Sequence, residues 1–381
     1  MEGDHIKICY WLKPLSWLYG LVINLRNILF DSGMLPSESF DVPVICVGNI
    51  TAGGTGKTPH TEYLIRLLSK QHQVAVLSRG YKRKSKGYIL ATKDTPVQEI
   101  GDEPFQMKQK YPQIHMAVDA NRRRGIQNLC RPVIEPTTDV VLLDDAYQHR
   151  YVVPGINILL MDYHRLVNFD ELLPAGRLRE PKSSCQRADI VIVTKCPPYI
   201  TPMEEHGIAR SIEMQPWQKL FFTRFKYGKL KKISLFPEEI PLEEISDTHY
   251  NIVLLTGIAS PQQMEYDLQQ FFTFKSVHFS DHHDFRRKDI ELVERTIKSV
   301  TTPDKQTIVI TTEKDAARLL SIGQVYEDFT LFSIRFSLYV LPIEVEFMDE
   351  KEDSFNKFIL SYVQKNSRNS TLLKAENANK P

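Results

Sequence analysis

One stretch constrains this chain more than any other. Residues 42–58 read VPVICVGNITAGGTGKT, an apolar run that breaks into a glycine-rich loop and then into Gly56-Lys57-Thr58. Small residues let backbone N–H groups turn inward as an anion nest, and the N-terminus of the following helix adds partial positive charge. In that setting Gly53, Gly54, Thr55 and Gly56 line a phosphate cradle. Lys57 reaches the β- and γ-phosphates of a nucleotide, and the Thr58 hydroxyl is suited to Mg²⁺. The strict spacing G-x4-G-K-[ST] is not met. Thr51 stands at the first-glycine position, with glycines at Gly48, Gly53 and Gly54 instead. The loop is therefore a variant phosphate loop. A tight glycine turn that binds nothing is disfavoured by the strand before it and the helix after it.

A phosphate loop needs an acidic partner for the metal. Residues 139–145, DVVLLDD, form an apolar run ending in Asp144 and Asp145. Carboxylates at the C-terminal end of a parallel strand face the site. The plain alternative is that they cap the next element. Together the two motifs point to a nucleoside triphosphate and Mg²⁺, without fixing the reaction.

Further apolar runs lie at 73–78, 114–118, 156–162 and 189–195. They lack in/out alternation, as strands covered on both faces do. Between the runs at 42–48 and 73–78, Leu64, Leu67 and Leu68 mark an amphipathic helix. The expected fold is α/β, a P-loop NTPase-like parallel sheet with helices on both faces. A second, smaller α/β alternation follows, with strands at 251–257, 275–280, 307–315 and 329–336 and helices at 260–272 and 285–300. Residues 216–250 read as a linker, with a hairpin-like turn at KYGK. The expected division is 1–30, 31–215, 216–250, 251–365 and a flexible polar tail at 366–381. A length of 381 residues fits two domains.

Lys+Arg is 48 and Asp+Glu is 47, a formal charge of +1, so no global field for nucleic acid exists and anionic partners must be met by local basic patches. The five cysteines form no CxxC pair, which points away from a disulfide framework or a zinc site. The start of the chain carries Glu2 and Asp4, unlike a signal peptide. Residues 10–30 are greasy and aromatic, but Lys13 and Arg26 leave an uninterrupted run of 12 residues. That is short of the roughly 20 needed to span a bilayer. Interleaved Trp, Tyr, Lys and Arg suit a helix lying at headgroup level, and a terminal helix packed on its own domain is the alternative.

A GTPase would carry N-K-x-D, and neither Thr194-Lys195-Cys196-Pro197 nor Glu313-Lys314-Asp315 supplies it. Residues 78–86, SRGYKRKSK, place five cations without an acid, which suits either an anionic lipid phosphate or a solvated loop. Arg122-Arg123-Arg124 is a weaker version. Asp102, in GDEP before a helical pattern, is either a helix cap or a general base on an acceptor hydroxyl. Asp281-His282-His283-Asp284 has metal-like letters without a third ligand. A histidine oriented against a carboxylate is the better use of them.

In order along the chain stand G-N-x-T-x-G-G-T-G-K-T-P (48–59), S-R-G-Y (78–81), G-D-E-P (101–104), D-D-x-x-Q-H (144–149), L-P-A-G-x-L-R-E-P (173–181) and T-E-K-D (312–315). This set resembles the tetraacyldisaccharide 4'-kinase family, the lipid A 4'-kinases, from about residue 42 to 315, with an amphipathic N-terminus of the same kind. The resemblance implies phosphoryl transfer from ATP to the 4'-hydroxyl of tetraacyldisaccharide 1-phosphate at the cytoplasmic face of the inner membrane, peripherally or N-terminally anchored. It implies two α/β/α domains joined by a β-linker, with the nucleotide in the cleft. By the same resemblance Lys57 and Thr58 serve the triphosphate and Mg²⁺, and Asp144 and Asp145 are the metal acids. Asp102 is the catalytic base and His282 polarises it. Arg79, Tyr81, His149 and Arg179 lie on the acceptor or phosphate side. Expected partners are the acylated disaccharide and the membrane surface, with no nucleic acid or protein partner. One departure is Ala146 where the pattern has Gly, which puts the local backbone in question. Two other readings of the phosphate loop are a nucleotide-gated interaction switch and an ATP-dependent ligase.

Overall fold

The structure is a computed structural model that describes residues 8–233, 238–258, 261–280, 283, 285–323 and 337–378. Helix α1 (Lys13–Asp31) precedes strand β1 (Val44–Gly48), and the phosphate loop leads into α2 (Lys57–Leu68). Next come β2 (Val74–Ser78), β3 (Ile89–Leu90), the short α3 (Val97–Ile100) and α4 (Asp102–Lys110). The alternation continues through β4 (His115–Val118), α5 (Arg122–Leu129), β5 (Val140–Asp144) and β6 (Ile156–Asp162). It ends with β7 (Ile190–Thr194), α6 (Pro202–Ser211) and β8 (Lys219–Tyr227). A second series runs β9 (Leu230–Lys232), β10 (Glu239–Ile240), β11 (Tyr250–Thr256), α7 (Pro261–Leu268) and β12 (Lys275–His278). It continues with α8 (Arg287–Val300), β13 (Gln306–Thr312), α9 (Glu313–Gly323) and β14 (Leu338–Leu341). β15 (Ile343–Phe347) and α10 (Glu352–Ala378) follow.

The nine-stranded sheet has the order β15-β8-β7-β6-β1-β5-β2-β4-β3. Its interior pairs are parallel, and β3 pairs antiparallel with β4 at the edge. β1, β2, β5 and β7 are buried along their whole length, which is why their sequences run apolar without alternation. The chain moves from β1 to one side for β2, β4 and β5, and to the other for β6, β7 and β8. The C-terminal end of β1 is therefore a topological switch point, where open parallel sheets bind ligands. The second sheet has the order β10-β9-β14-β13-β11-β12, parallel from β14 to β12 and antiparallel at β9 and β10. Its two faces bury separate apolar clusters, one around Leu254, Ile308 and Tyr339, the other around Leu255, Val309 and Val293.

Several expectations need correction. The KYGK segment is no hairpin. β8 belongs to the nine-stranded sheet, whereas β9 pairs with β10 and β14 in the other. The run expected as a strand at 307–315 ends at Thr312, because Glu313 already opens α9. Helix α7 stops at Leu268, short of 272. The tail expected to be flexible continues as α10 to Ala378. The strand expected at 329–336 lies outside the described residues. Compact units also cut across the expected division. One unit comprises Met1–Asp94, Met107–Phe225 and Val345–Pro381, the other Thr95–Gln106 and Lys226–Glu344.

Candidate active site

The phosphate loop is braced from both sides by its own unit. Asn49, fully buried, donates through Nδ2 to the Thr55 hydroxyl (2.8 Å). The Thr194 hydroxyl donates to the Thr55 carbonyl (3.0 Å), and Gln148 Nε2 donates to the Asn49 carbonyl (2.7 Å). Two backbone bonds tie the loop to the LPAGRLREP segment, from Ala52 N–H to the Arg177 carbonyl and from Arg179 N–H to the Ile50 carbonyl (both 2.7 Å). That segment earns its place in the sequence pattern as an edge of the cradle. Gly48 is required by close packing, since a Cβ there would stand 2.7 Å from Tyr147 Cβ. Gly56 has φ +81° and would drive a Cβ to 2.7 Å from the Phe225 ring. A Cβ on Gly53 or Gly54 would meet nothing within 4 Å, so these two line the open side.

The paired acids behave differently. Asp144, buried at the end of β5, accepts from Ser78 Oγ (3.0 Å) and Thr61 Oγ1 (3.5 Å). Asp145 adopts φ +46° and faces two cations, Lys57 Nζ at 3.7 Å and Arg179 Nη1 at 3.3 Å. The left-handed residue of this turn is Asp145, so Ala146 in place of Gly leaves the backbone unstrained. Aspartate is one of the few residues that tolerate such a φ. The Thr58 hydroxyl and the two carboxylates are hard oxygen donors that could hold Mg²⁺. Among the described residues no cluster of three or more His, Cys, Asp or Glu could hold a metal alone.

A dense cationic group surrounds His149, whose pKa is lowered to about 4 by burial, then by Arg122, Arg26, Arg123 and Arg79. Arg122 is 2% exposed, donates to the Asp119 carbonyl (2.9 Å), and balances Asp144 and Asp145. The triple arginine thus carries more than its composition signalled. Its members diverge: Arg124 is spent on Asp119 (2.7 Å), whereas Arg122 faces the acids. In the basic loop, Arg83 turns back to the Gly87 carbonyl (2.7 Å), while Arg79 and Tyr81 stay exposed. Glu180 is buried against Arg187 (2.6 Å).

His60 anchors the first turn of α2. Its Nδ1 lies 2.7 Å from the Gly56 carbonyl and its Nε2 3.0 Å from Thr223 Oγ1 on β8. Burial lowers its pKa to about 4, with the Gly56 hydrogen bond opposing. Unfolded, such an imidazole takes up a proton near 6.5. Between about pH 6.5 and 4 the unfolded chain therefore binds more protons, and stability falls as pH falls. We expect the melting temperature of wild type to drop between pH 7 and 4.5 more steeply than that of His60→Gln. Equal slopes would contradict a buried neutral His60.

Asp102 opens α4, in the other unit. Its carboxylate accepts from Arg318 Nε (2.8 Å) and is about one quarter exposed. His282 lies outside the described residues. Neighbouring His283 pairs with Asp289 (2.9 Å) and stacks on Phe279.

The two faces of α1 differ, one packed on its own unit and the other exposed and apolar. Ser16 and Gly20 are buried, the Ser16 hydroxyl donating to the Leu172 carbonyl (2.9 Å). Tyr19 OH donates to the Arg179 carbonyl (2.8 Å), and Arg26 to the Gln148 carbonyl (3.0 Å). The other face leaves Trp17, Leu18, Leu21, Val22, Leu25 and Ile28 more than half exposed, next to Trp11 at 80%. Among the described residues no helix is long and apolar enough to cross a membrane.

A glycine cradle at a sheet switch point, a lysine at the helix start and paired acids on the adjacent strand define a P-loop protein that handles nucleoside triphosphates. The family model described as Tetraacyldisaccharide-1-P 4'-kinase matches residues 8–364, and the chain belongs to that family. It is 55% identical to the tetraacyldisaccharide 4'-kinase of Phocaeicola vulgatus, over 97% of this chain and 99% of that one. Identity to the Bacteroides thetaiotaomicron enzyme of the same name is 48%, covering 99% of both chains. Among solved structures, a crystal structure of Aquifex aeolicus LpxK in complex with ATP is similar, with TM-score 0.69 and 29% identity. It covers 93% of this chain and 99% of that one.

Proposed function

We propose that this chain transfers the γ-phosphoryl group of ATP to the 4'-hydroxyl of tetraacyldisaccharide 1-phosphate, a lipid A precursor. Membership of the 4'-kinase family supports the reaction. The observation that carries its chemistry is the braced glycine cradle with Lys57 and Arg179 converging on Asp145. The amides of residues 53–58 and Lys57 hold the nucleotide phosphates and draw charge from the transferred group, the main need of phosphoryl transfer. Thr58, Asp144 and Asp145 would hold Mg²⁺, which would supply neutralisation of the phosphate charge. Asp102, polarised by His282, accepts the proton of the sugar hydroxyl as that oxygen bonds to phosphorus and ADP departs. Arg79, Tyr81, His149 and Arg179 engage the acceptor, and the cations around His149 offer its anionic group a counter-charge. Incubation with ATP, Mg²⁺ and the precursor, followed by product analysis, tests this reading.

The substrate's acyl chains support a reaction at a lipid surface, which in this reading is the cytoplasmic face of the inner membrane. The exposed face of α1 supports peripheral attachment: apolar side chains inserted at the acyl boundary contribute roughly 1.5–3 kcal/mol each when fully buried. Trp17→Glu with Leu21→Glu should lower the vesicle-bound fraction by about tenfold or more, read by co-sedimentation with anionic vesicles. Undiminished binding would contradict attachment through this face. The packed side of α1 keeps Ser16, Tyr19 and Arg26 in that variant.

A further inference from the structure

The T-E-K-D motif at 312–315 has no part in the chemistry described so far, and two of its side chains, Thr312 and Asp315, lead to one arginine. Thr312 ends β13 at the start of α9, and its hydroxyl accepts from the Asp315 N–H (3.1 Å). Asp315, fully buried, takes that same hydroxyl (2.8 Å) and the Gly257 N–H (2.8 Å) on Oδ2. A side chain on Gly257 would collide with this carboxylate, its Cβ lying 2.9 Å from Oδ1. One turn further on, the Arg318 side chain is 6% exposed. Its Nη1 is fixed by Asp315 Oδ1 (3.1 Å) and the Gly257 carbonyl (3.2 Å), and its Nε donates to Asp102 Oδ2 (2.8 Å). All of these residues belong to one compact unit.

We infer that Arg318 is a positioning residue that holds the Asp102 carboxylate in the orientation in which it receives the acceptor's proton. The inference rests on the reading of Asp102 as general base. A buried guanidinium is stable only when paired and hydrogen-bonded throughout. Two of the Arg318 contacts come from the end of β11 and the first turn of α9, so the planar fork is set before Asp102 is engaged. The carboxylate sits on the first residue of a helix, with its own side-chain torsions to restrain. A second tie between the same helices, Lys314 to Glu103 at 3.8 Å, limits their sliding. A cation on a base weakens it, but phosphoryl transfer through a loose transition state asks for placement more than for basicity. The alternative is a purely structural strut between α4 and α9.

The test compares full-length wild type, Arg318→Ala, Arg318→Lys, Asp102→Ala and the double variant D102A/R318A with ATP and tetraacyldisaccharide 1-phosphate in mixed micelles. Arg318→Ala should lower kcat roughly 100-fold, the scale of a misplaced catalytic group, with the KM for ATP unchanged. Millimolar guanidinium should restore much of the loss in R318A and none in D102A/R318A. The double variant should be no slower than Asp102→Ala, because Arg318 acts only through that carboxylate. Should Arg318→Ala fail to fold, Arg318→Lys still decides: it keeps the charge but not the fork, and a wild-type kcat would overturn the inference. Losses that multiply in the double variant would overturn it in favour of the strut. A fast Arg318→Ala beside a slow Asp102→Ala overturns it while leaving the base in place. A fast Asp102→Ala removes the reading on which it stands.

Discussion

Replacing Lys57 with alanine should lower phosphoryl transfer by about 10³-fold, the scale of removing a preorganised charge-stabilising donor. Lys57 is the first residue of α2, immediately after the left-handed Gly56, and its side chain is largely buried. Its ammonium lies 3.7 Å from Asp145, which Arg179 also holds at 3.3 Å. Removing the lysine therefore leaves Asp145 paired, and the braces of the loop at Thr55, Ala52 and Asn49 do not involve the lysine side chain. The fold should stand, and the loss should fall on charge development at the transferred group. Single-turnover transfer from labelled ATP to the lipid acceptor measures it. A rate near wild type would contradict the role of the loop.

Asp102→Ala carries the second large effect, a loss of about 10²–10⁴-fold in the chemical step, as expected of a general base. The proposed partner of Asp102 is the acceptor hydroxyl and not the nucleotide, so ATP affinity should stay unchanged. The variant leaves Arg318 paired with Asp315, and the buried guanidinium keeps a partner. Isothermal titration with a non-hydrolysable nucleotide checks the first part, and single-turnover kinetics the second. Equal single-turnover rates in the variant and wild type would return Asp102 to the role of a helix-start acid. Weaker nucleotide binding with an unaltered chemical step would equally contradict a base.

Much of the catalytic unit was legible because its signals are local. Five-residue β-branched runs specify buried parallel strands, and a loop of small residues followed by Lys-Thr specifies an anion cradle. What escaped depends on long-range contact. Residues 95–106 pack with the second unit although their neighbours on both sides belong to the first, and no linker composition marks that exchange. β8 and β9 are separated by two residues yet pair in different sheets, because each is completed by a strand from far along the chain. Arg122 read as one of three like charges, and only the fold spends Arg124 on Asp119 while burying Arg122 beside the paired acids. Arg318 had no motif letter at all. Its meaning comes from Gly257 and Asp315 fixing one edge of the guanidinium while Asp102 takes another. The two faces of α1 were both readable from residues 10–30, but sequence could not show that packing and exposure coexist, since that depends on Leu172, Gln148 and Arg179 meeting one side.

The central claim is that the cradle at 48–58 delivers a phosphoryl group to a lipid-borne sugar alcohol. Incubating the full chain with ATP, Mg²⁺ and tetraacyldisaccharide 1-phosphate, and weighing the lipid by mass spectrometry, addresses it directly. The account predicts a lipid heavier by one phosphoryl group at the 4'-position, with ADP formed in equal amount and product formed about 10³-fold more slowly by Lys57→Ala. ADP and free phosphate accumulating beside an unmodified lipid would contradict it and leave a nucleotide-hydrolysing switch.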